Sequence, residues 1–119
     1  MHEFGLCDGV IEAVQRRAAG RRVARVGVRA GALLRVVDAA FQQAFQHAAA
    51  GTEAENAALH LVIDPARALC RDCATETESN ELIAVCPKCG GVDIDVIAGE
   101  GLVLEFLEYE APQGTMTQG

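Results

Sequence analysis

The chain has 119 residues, half of them apolar and only 4% aromatic, with no tryptophan, so one modest core of Val, Leu, Ala and Ile is expected. No apolar run reaches the 18 or so residues of a membrane helix, and Met1-His2-Glu3-Phe4 lacks the basic start and apolar stretch of a secretory signal, so the chain reads as cytoplasmic. The formal charge of −7 is unevenly placed: residues 1–50 carry seven arginines against four acids, residues 51–119 three basic against thirteen acidic residues.

In chain order, Leu6, Val10, Ile11, Val14 and Ala18 recur three or four apart, the spacing of one helical face, and Gly20 stops this helix. From Arg21 to Ala30 the pattern changes to alternation, with Ala24, Val26, Val28 and Ala30 on one parity and Arg25 and Arg29 on the other. That predicts a half-buried strand, weakened at Gly27. After Gly31, the positions Leu33, Val37, Ala40, Phe41, Ala44, Phe45 and Ala48 predict a second amphipathic helix ending at Gly51. Leu59, Leu61 and Ile63 alternate up to Pro65 as a second strand, and Leu102 to Tyr109 reads as a third. The tail from Pro112 reads as disordered.

Between the last two strands lies Cys70-Arg-Asp-Cys73, twelve residues, then Cys86-Pro-Lys-Cys89-Gly90-Gly91. Each CxxC turn aims two sulfurs at one point, and two such knuckles complete a tetrahedral S4 site for Zn2+ with no position left for water. The site is therefore expected to be structural, and zinc to fold the module. Four thiolates and one Zn2+ take the formal charge from −7 to −9. A thioredoxin-type redox motif would use one CxxC ahead of a helix, and neither pair has that setting. The fifth cysteine, Cys7, falls on the first helix beside Leu6, as a small buried apolar residue would.

These elements predict an α+β fold: two helices on a three-stranded sheet with an inserted zinc-ribbon-like module. The expected organisation is an α+β domain of residues 1–66 plus 99–110, a zinc module of 67–98, and a tail of 111–119. The seven arginines between Arg16 and Arg35 leave open a nucleic-acid-binding or adaptor module, although no aromatics interleave with them and the zinc half is acidic. The opening Met1-His2-Glu3 offers an amine, amides and an imidazole to a metal. His47 and His60 read as ordinary helix and strand residues. No nucleophile and base pair and no phosphate loop points to an enzyme.

Three features taken together resemble the hydrogenase maturation nickel metallochaperone family HypA/HybF, from Met1 to about Glu110. They are Met1-His2-Glu3 ahead of an amphipathic helix, Gly31-Ala32-Leu33 leading into a helix with Ala44-Phe45, and two CxxC knuckles followed by Gly99-Glu100 and a strand. The resemblance implies Ni(II) held by the Met1 amine, the His2 imidazole and the backbone nitrogens of His2 and Glu3. Nickel(II) accepts such square-planar nitrogen coordination, whereas the S4 cage enforces a tetrahedron. It further implies delivery to the large subunit of a [NiFe] hydrogenase with a partner maturation GTPase, and in some organisms to urease maturation proteins, by a monomer or weak homodimer that uses neither nucleic acid nor membrane. Two local departures from the family pattern stand out: Asp38 is displaced by one position from the usual acid near the second helix, and Ala74 replaces the Gly that commonly trails the first knuckle. Arg25, Arg29 and the first helix are the expected GTPase-facing surface.

Overall fold

A computed structural model describes residues 2–111. The element order is α1 (His2–Ala18), β1 (Val23–Gly31), a 3-10 turn (Ala32–Leu34), α2 (Asp38–Ala49), β2 (Ala58–Asp64), β3 (Ala66–Cys70), β4 (Glu76–Ser79), β5 (Ile94–Ala98) and β6 (Leu102–Tyr109). Three strands form a sheet in the order β2-β1-β6, and three more form a second sheet in the order β4-β3-β5. The predicted α+β class holds, and the cysteine segment supplies a sheet of its own. The tail from Pro112 lies outside the described residues.

The described residues divide into two compact units, one falling within residues 1–28, 37–60 and 104–119 and one of residues 29–36 and 61–103. In the first, the apolar stripe of α1 buries Cys7, Val10, Ile11, Val14 and Ala18, and α2 buries Phe41, Ala44, Phe45 and Ala49. The stripes follow the 3.6-residue period because one side of each helix must leave water. Ala19 and Gly20 both take left-handed backbone, with φ of 50° and 90°, and end α1. Gly27 is buried because it lies under the Phe106 ring, where any Cβ would collide with the ring. A residue that weakens the strand by propensity therefore serves its packing.

The second helix starts later than its periodicity suggests. Leu33 belongs to the 3-10 turn, Arg35 is left-handed at φ 56°, and Val37 is extended at φ −97°, so the helix begins at Asp38. Leu33 fits the helical spacing only by coincidence of sequence. Along β2, Leu59 is buried but Ile63 is 42% exposed, so the alternation ends before the strand does.

In the second unit, β3 pairs antiparallel with β4 (Ala66 opposite Ser79 to Leu69 opposite Glu76) and with β5 (Cys70 opposite Ile94), with a bulge between Arg67 and Ala68. Gly31 donates its N–H to the carbonyl of Gly101 at 2.8 Å, and Leu33 donates to that of Gly99 at 2.9 Å. A Cβ on Gly31 would strike the Gly99 carbonyl, and one on Gly99, at φ 113°, would strike Ala66. Two backbones cross here at a distance only glycine permits.

Candidate metal centre

The zinc knuckles are built locally, one by the end of β3 and one by the loop before β5. Cys70 is the last residue of β3, and the chain turns back on itself there: Ala74 N–H donates to the Cys70 carbonyl at 2.8 Å and Cys70 N–H to that of Thr75 at 3.0 Å. The second knuckle repeats this with Gly90 N–H to Cys86 carbonyl at 2.9 Å and Cys86 N–H to Gly91 carbonyl at 2.8 Å. The residue after each pair's second cysteine is left-handed, Ala74 at φ 64° and Gly90 at φ 77°. Alanine thus occupies at the first knuckle a backbone state that glycine meets without strain at the second.

The turns bring all four sulfurs together. The Sγ atoms of Cys70, Cys73, Cys86 and Cys89 lie within 4.8 Å of one another. Cys70 and Cys89 are 3.6 Å apart and Cys73 and Cys86 3.7 Å. A tetrahedral zinc with Zn–S of about 2.3 Å requires S···S separations of about 3.8 Å, so the donor set fits that ion. Backbone N–H groups already face the sulfurs: Lys88 and Cys89 donate to Cys86 at 3.4 and 3.5 Å, and Gly91 donates to Cys89 at 3.3 Å. Such bonds offset the negative charge of thiolates.

The protons on this cluster are unequally held. The Thr75 hydroxyl, 3.2 Å away, and then its backbone bring Cys73 down to about 6. The Gly91 amide pulls Cys89 the same way, but the neighbouring sulfurs of Cys73 and Cys70 and desolvation outweigh it and push Cys89 up to about 12. Adjacent thiols share protons because adjacent thiolates repel, and a divalent cation removes that conflict. Thr75 was not legible as part of the centre, although its position two residues beyond Cys73 is the one available signal.

At the other end, His2 opens α1 with its side chain 53% exposed, its Nε2 3.6 Å from the carboxylate of Glu3. Glu3 is buried, and its Oε2 accepts the N–H of Val37 at 3.1 Å, just ahead of α2. The family resemblance implies only a backbone nitrogen from Glu3, yet its side chain ties the first turn of α1 to the start of α2. The Val37 amide, foremost, holds the Glu3 carboxyl below the usual carboxylate range. Met1 lies outside the described residues. Cys7 is fully buried and donates its thiol to the Phe41 carbonyl at 3.5 Å, and burial, with Asp8 and Glu3 nearby, pushes it up to about 12. A thiol so held is a packing group and a poor nucleophile.

The remaining residues singled out by sequence stand apart. Asp38 is exposed and accepts the Gln42 amide at 3.3 Å, His47 meets the Phe4 ring edge-on at 5.5 Å, and His60 faces Phe106 at 6.2 Å. Four of the seven arginines make contacts within the protein: Arg21 covers the Tyr109 ring at 3.8 Å, Arg22 donates to the carbonyls of Thr52 and Glu55 at 3.4 and 3.3 Å, Arg25 pairs with Glu108 at 3.0 Å, and Arg29 grips Asp64 through two nitrogens. No helix of the described residues is long and apolar enough to cross a membrane.

Comparison with known proteins agrees with this layout. The hydrogenase maturation factor HybF of Escherichia coli K12 is 36% identical over 113 residues, an alignment spanning 92% of this chain and all of that protein. HypA of Geobacter sulfurreducens is 37% identical over 110 residues with the same coverage. In fold, the chain matches the solution structure of the Ni metallochaperone HypA from Helicobacter pylori with a TM-score of 0.67 at 23% identity, over 92% of this chain and 98% of that one. The family model described as "Hydrogenase/urease nickel incorporation, metallochaperone, hypA" matches residues 1–109, from the amino terminus through the four cysteines to the last strand. With the family model and these relatives matching along nearly the whole chain, it belongs to the HypA family of hydrogenase nickel metallochaperones, which carry a metal and catalyse no reaction.

Proposed function

We propose that the chain holds Ni(II) at its amino terminus and hands it to the large subunit of a [NiFe] hydrogenase, in concert with a maturation GTPase, in the cytoplasm. With Met1 as the mature first residue, the cargo's ligands are the Met1 amine, the His2 imidazole and the backbone nitrogens of His2 and Glu3. Fused chelate rings along one short peptide suit square-planar nickel. Cys70, Cys73, Cys86 and Cys89 hold zinc, which supplies a structural crosslink there and no open coordination position. On this reading the cargo-binding part is residues 1–66 with 99–110, and the zinc module is residues 67–98.

The observation that carries the nickel reading is the placement of His2 and Glu3. The buried Glu3 carboxylate is fixed by the Val37 amide, while the His2 imidazole beside it is half exposed. The backbone that would donate nitrogens is thereby held, and the side chain that would complete the square stays open to a donor or recipient. A carrier needs both properties, because a fully enclosed ion could not be passed on.

Calorimetric nickel titration of the untagged protein, of His2→Ala and of a form extended at the amino terminus tests this. The wild type should bind one nickel, and both altered forms should lose at least tenfold in affinity while keeping one zinc per chain by metal analysis. Affinity should also weaken as pH falls through the amine range of about 7.7 to 8.0, since the amine must lose its proton. Equal binding by the extended form would overturn the terminal-amine ligand set.

A further inference from the structure

The surface around the second knuckle has no role in either metal site. The hydrogen bond from Cys86 N–H to the Gly91 carbonyl closes the knuckle and sets its two flanks, Val85 and Val92, side by side. Val92 is 74% exposed and Val85 53%, and Leu82, three residues before Val85, is 66% exposed. Aliphatic side chains left so open on one knuckle and on the loop that enters it contribute little to the fold.

Acidic residues flank these positions along the chain. Glu81 adjoins Leu82, Asp93 adjoins Val92, and the Asp72 carboxylate lies against Gly91. Among the described residues no ion pair involves Glu81 or Asp72, and Asp93 is 3.9 Å from an Arg71 that binds Asp95 more closely, at 2.8 Å. Lys88 is the one cation between residues 80 and 93. Burying carboxylates at an interface without cations is costly, so whatever covers the apolar centre must bring positive charge to the edge.

We infer that Leu82, Val85 and Val92 form a docking surface for a protein segment that presents aliphatic side chains flanked by lysine or arginine. A second copy of the chain is a poor occupant, because the same patch face to face would set carboxylate against carboxylate. The apolar trio supplies the anchor, and Glu81, Asp72 and Asp93 supply orientation and encounter rate.

The zinc-loaded full chain should be titrated with two synthetic 16-residue peptides that share one set of leucines and valines, one carrying lysines and the other glutamates. The lysine peptide should bind, with amide shifts centred on residues 81–93, and weaken as salt rises. Leu82→Ser with Val92→Ser should weaken it at least tenfold, and Glu81→Lys severalfold, each variant still carrying one zinc per chain. Equal binding of the glutamate peptide, no binding of the lysine peptide, or unchanged binding by the double variant would overturn the inference. So would sedimentation as a dimer that the double variant abolishes. None of these readouts depends on nickel, so failure here leaves the terminal-site reading to its own titration.

Discussion

Ala74 illustrates how one residue can hold latent strain. Its φ of 64° is the left-handed state, which costs a residue with a Cβ about 1–2 kcal/mol. Glycine would remove that cost and give back part of it, about 0.4–1 kcal/mol, through a freer unfolded chain. Ala74→Gly should therefore stabilise the zinc-loaded protein by about 0.5–1 kcal/mol in urea unfolding. A destabilised variant would mean that the alanine methyl has a packing role. Glu3 is the second such residue. Its carboxyl is held low chiefly by the Val37 amide, so the ionised form favours the folded state. That contribution is fully present above the ordinary carboxylate value of 4.5 and fades as pH falls through the lower folded value. Nickel-free Glu3→Gln should accordingly unfold more readily than wild type at pH 7, and the gap should close in acid. A gap independent of pH would show that shape, and not charge, matters at this position.

Among the elements, the crossing at Gly31 makes the sharpest demand. Its φ and ψ of −66° and 144° are ordinary, so conformation alone would welcome alanine and even gain about 0.4–1 kcal/mol from it. The Gly99 carbonyl, however, occupies the place of the Cβ, and a backbone group cannot swing aside as a side chain does. Gly31→Ala should thus destabilise by about 1–3 kcal/mol in denaturant unfolding, the usual cost of overpacking. A neutral result would mean that the strand and the loop slide apart freely. What could be read from sequence divides along the same line. The faces of α1 and α2, the run of β6 and the four cysteines follow from short-range spacing, because helix period, strand period and knuckle turns are local. Gly27, Glu3 and the start of α2 depend on Phe106, Val37 and the left-handed Arg35, partners or backbone states that no spacing records. β4, Glu-Thr-Glu-Ser, has no apolar alternation at all and is a strand only because β3 lies beside it.

At the scale of the whole molecule, the two units rest on different kinds of stabilisation. The first buries Phe41, Phe45, Val14, Val23 and Val26, all fully enclosed, which is an ordinary hydrophobic core. In the second, the buried apolar residues are small, Ala30, Ala32, Ala66 and Ala68, joined by Cys70 and Cys86. Alanines bury little area apiece, so this unit leans on its metal crosslink far more than on burial. Removing zinc with a strong chelator under reducing conditions should therefore collapse the amide dispersion of residues 66–98 while the helical circular dichroism of α1 and α2 persists. Zinc return should restore it with release of protons at pH 7, because the thiols of the unfolded module titrate at the ordinary value of about 8.5 and the site binds them as thiolates. Calorimetry in two buffers of different ionisation enthalpy would count those protons. A metal that bound without proton release, or whose loss left residues 66–98 folded, would contradict a zinc-held module.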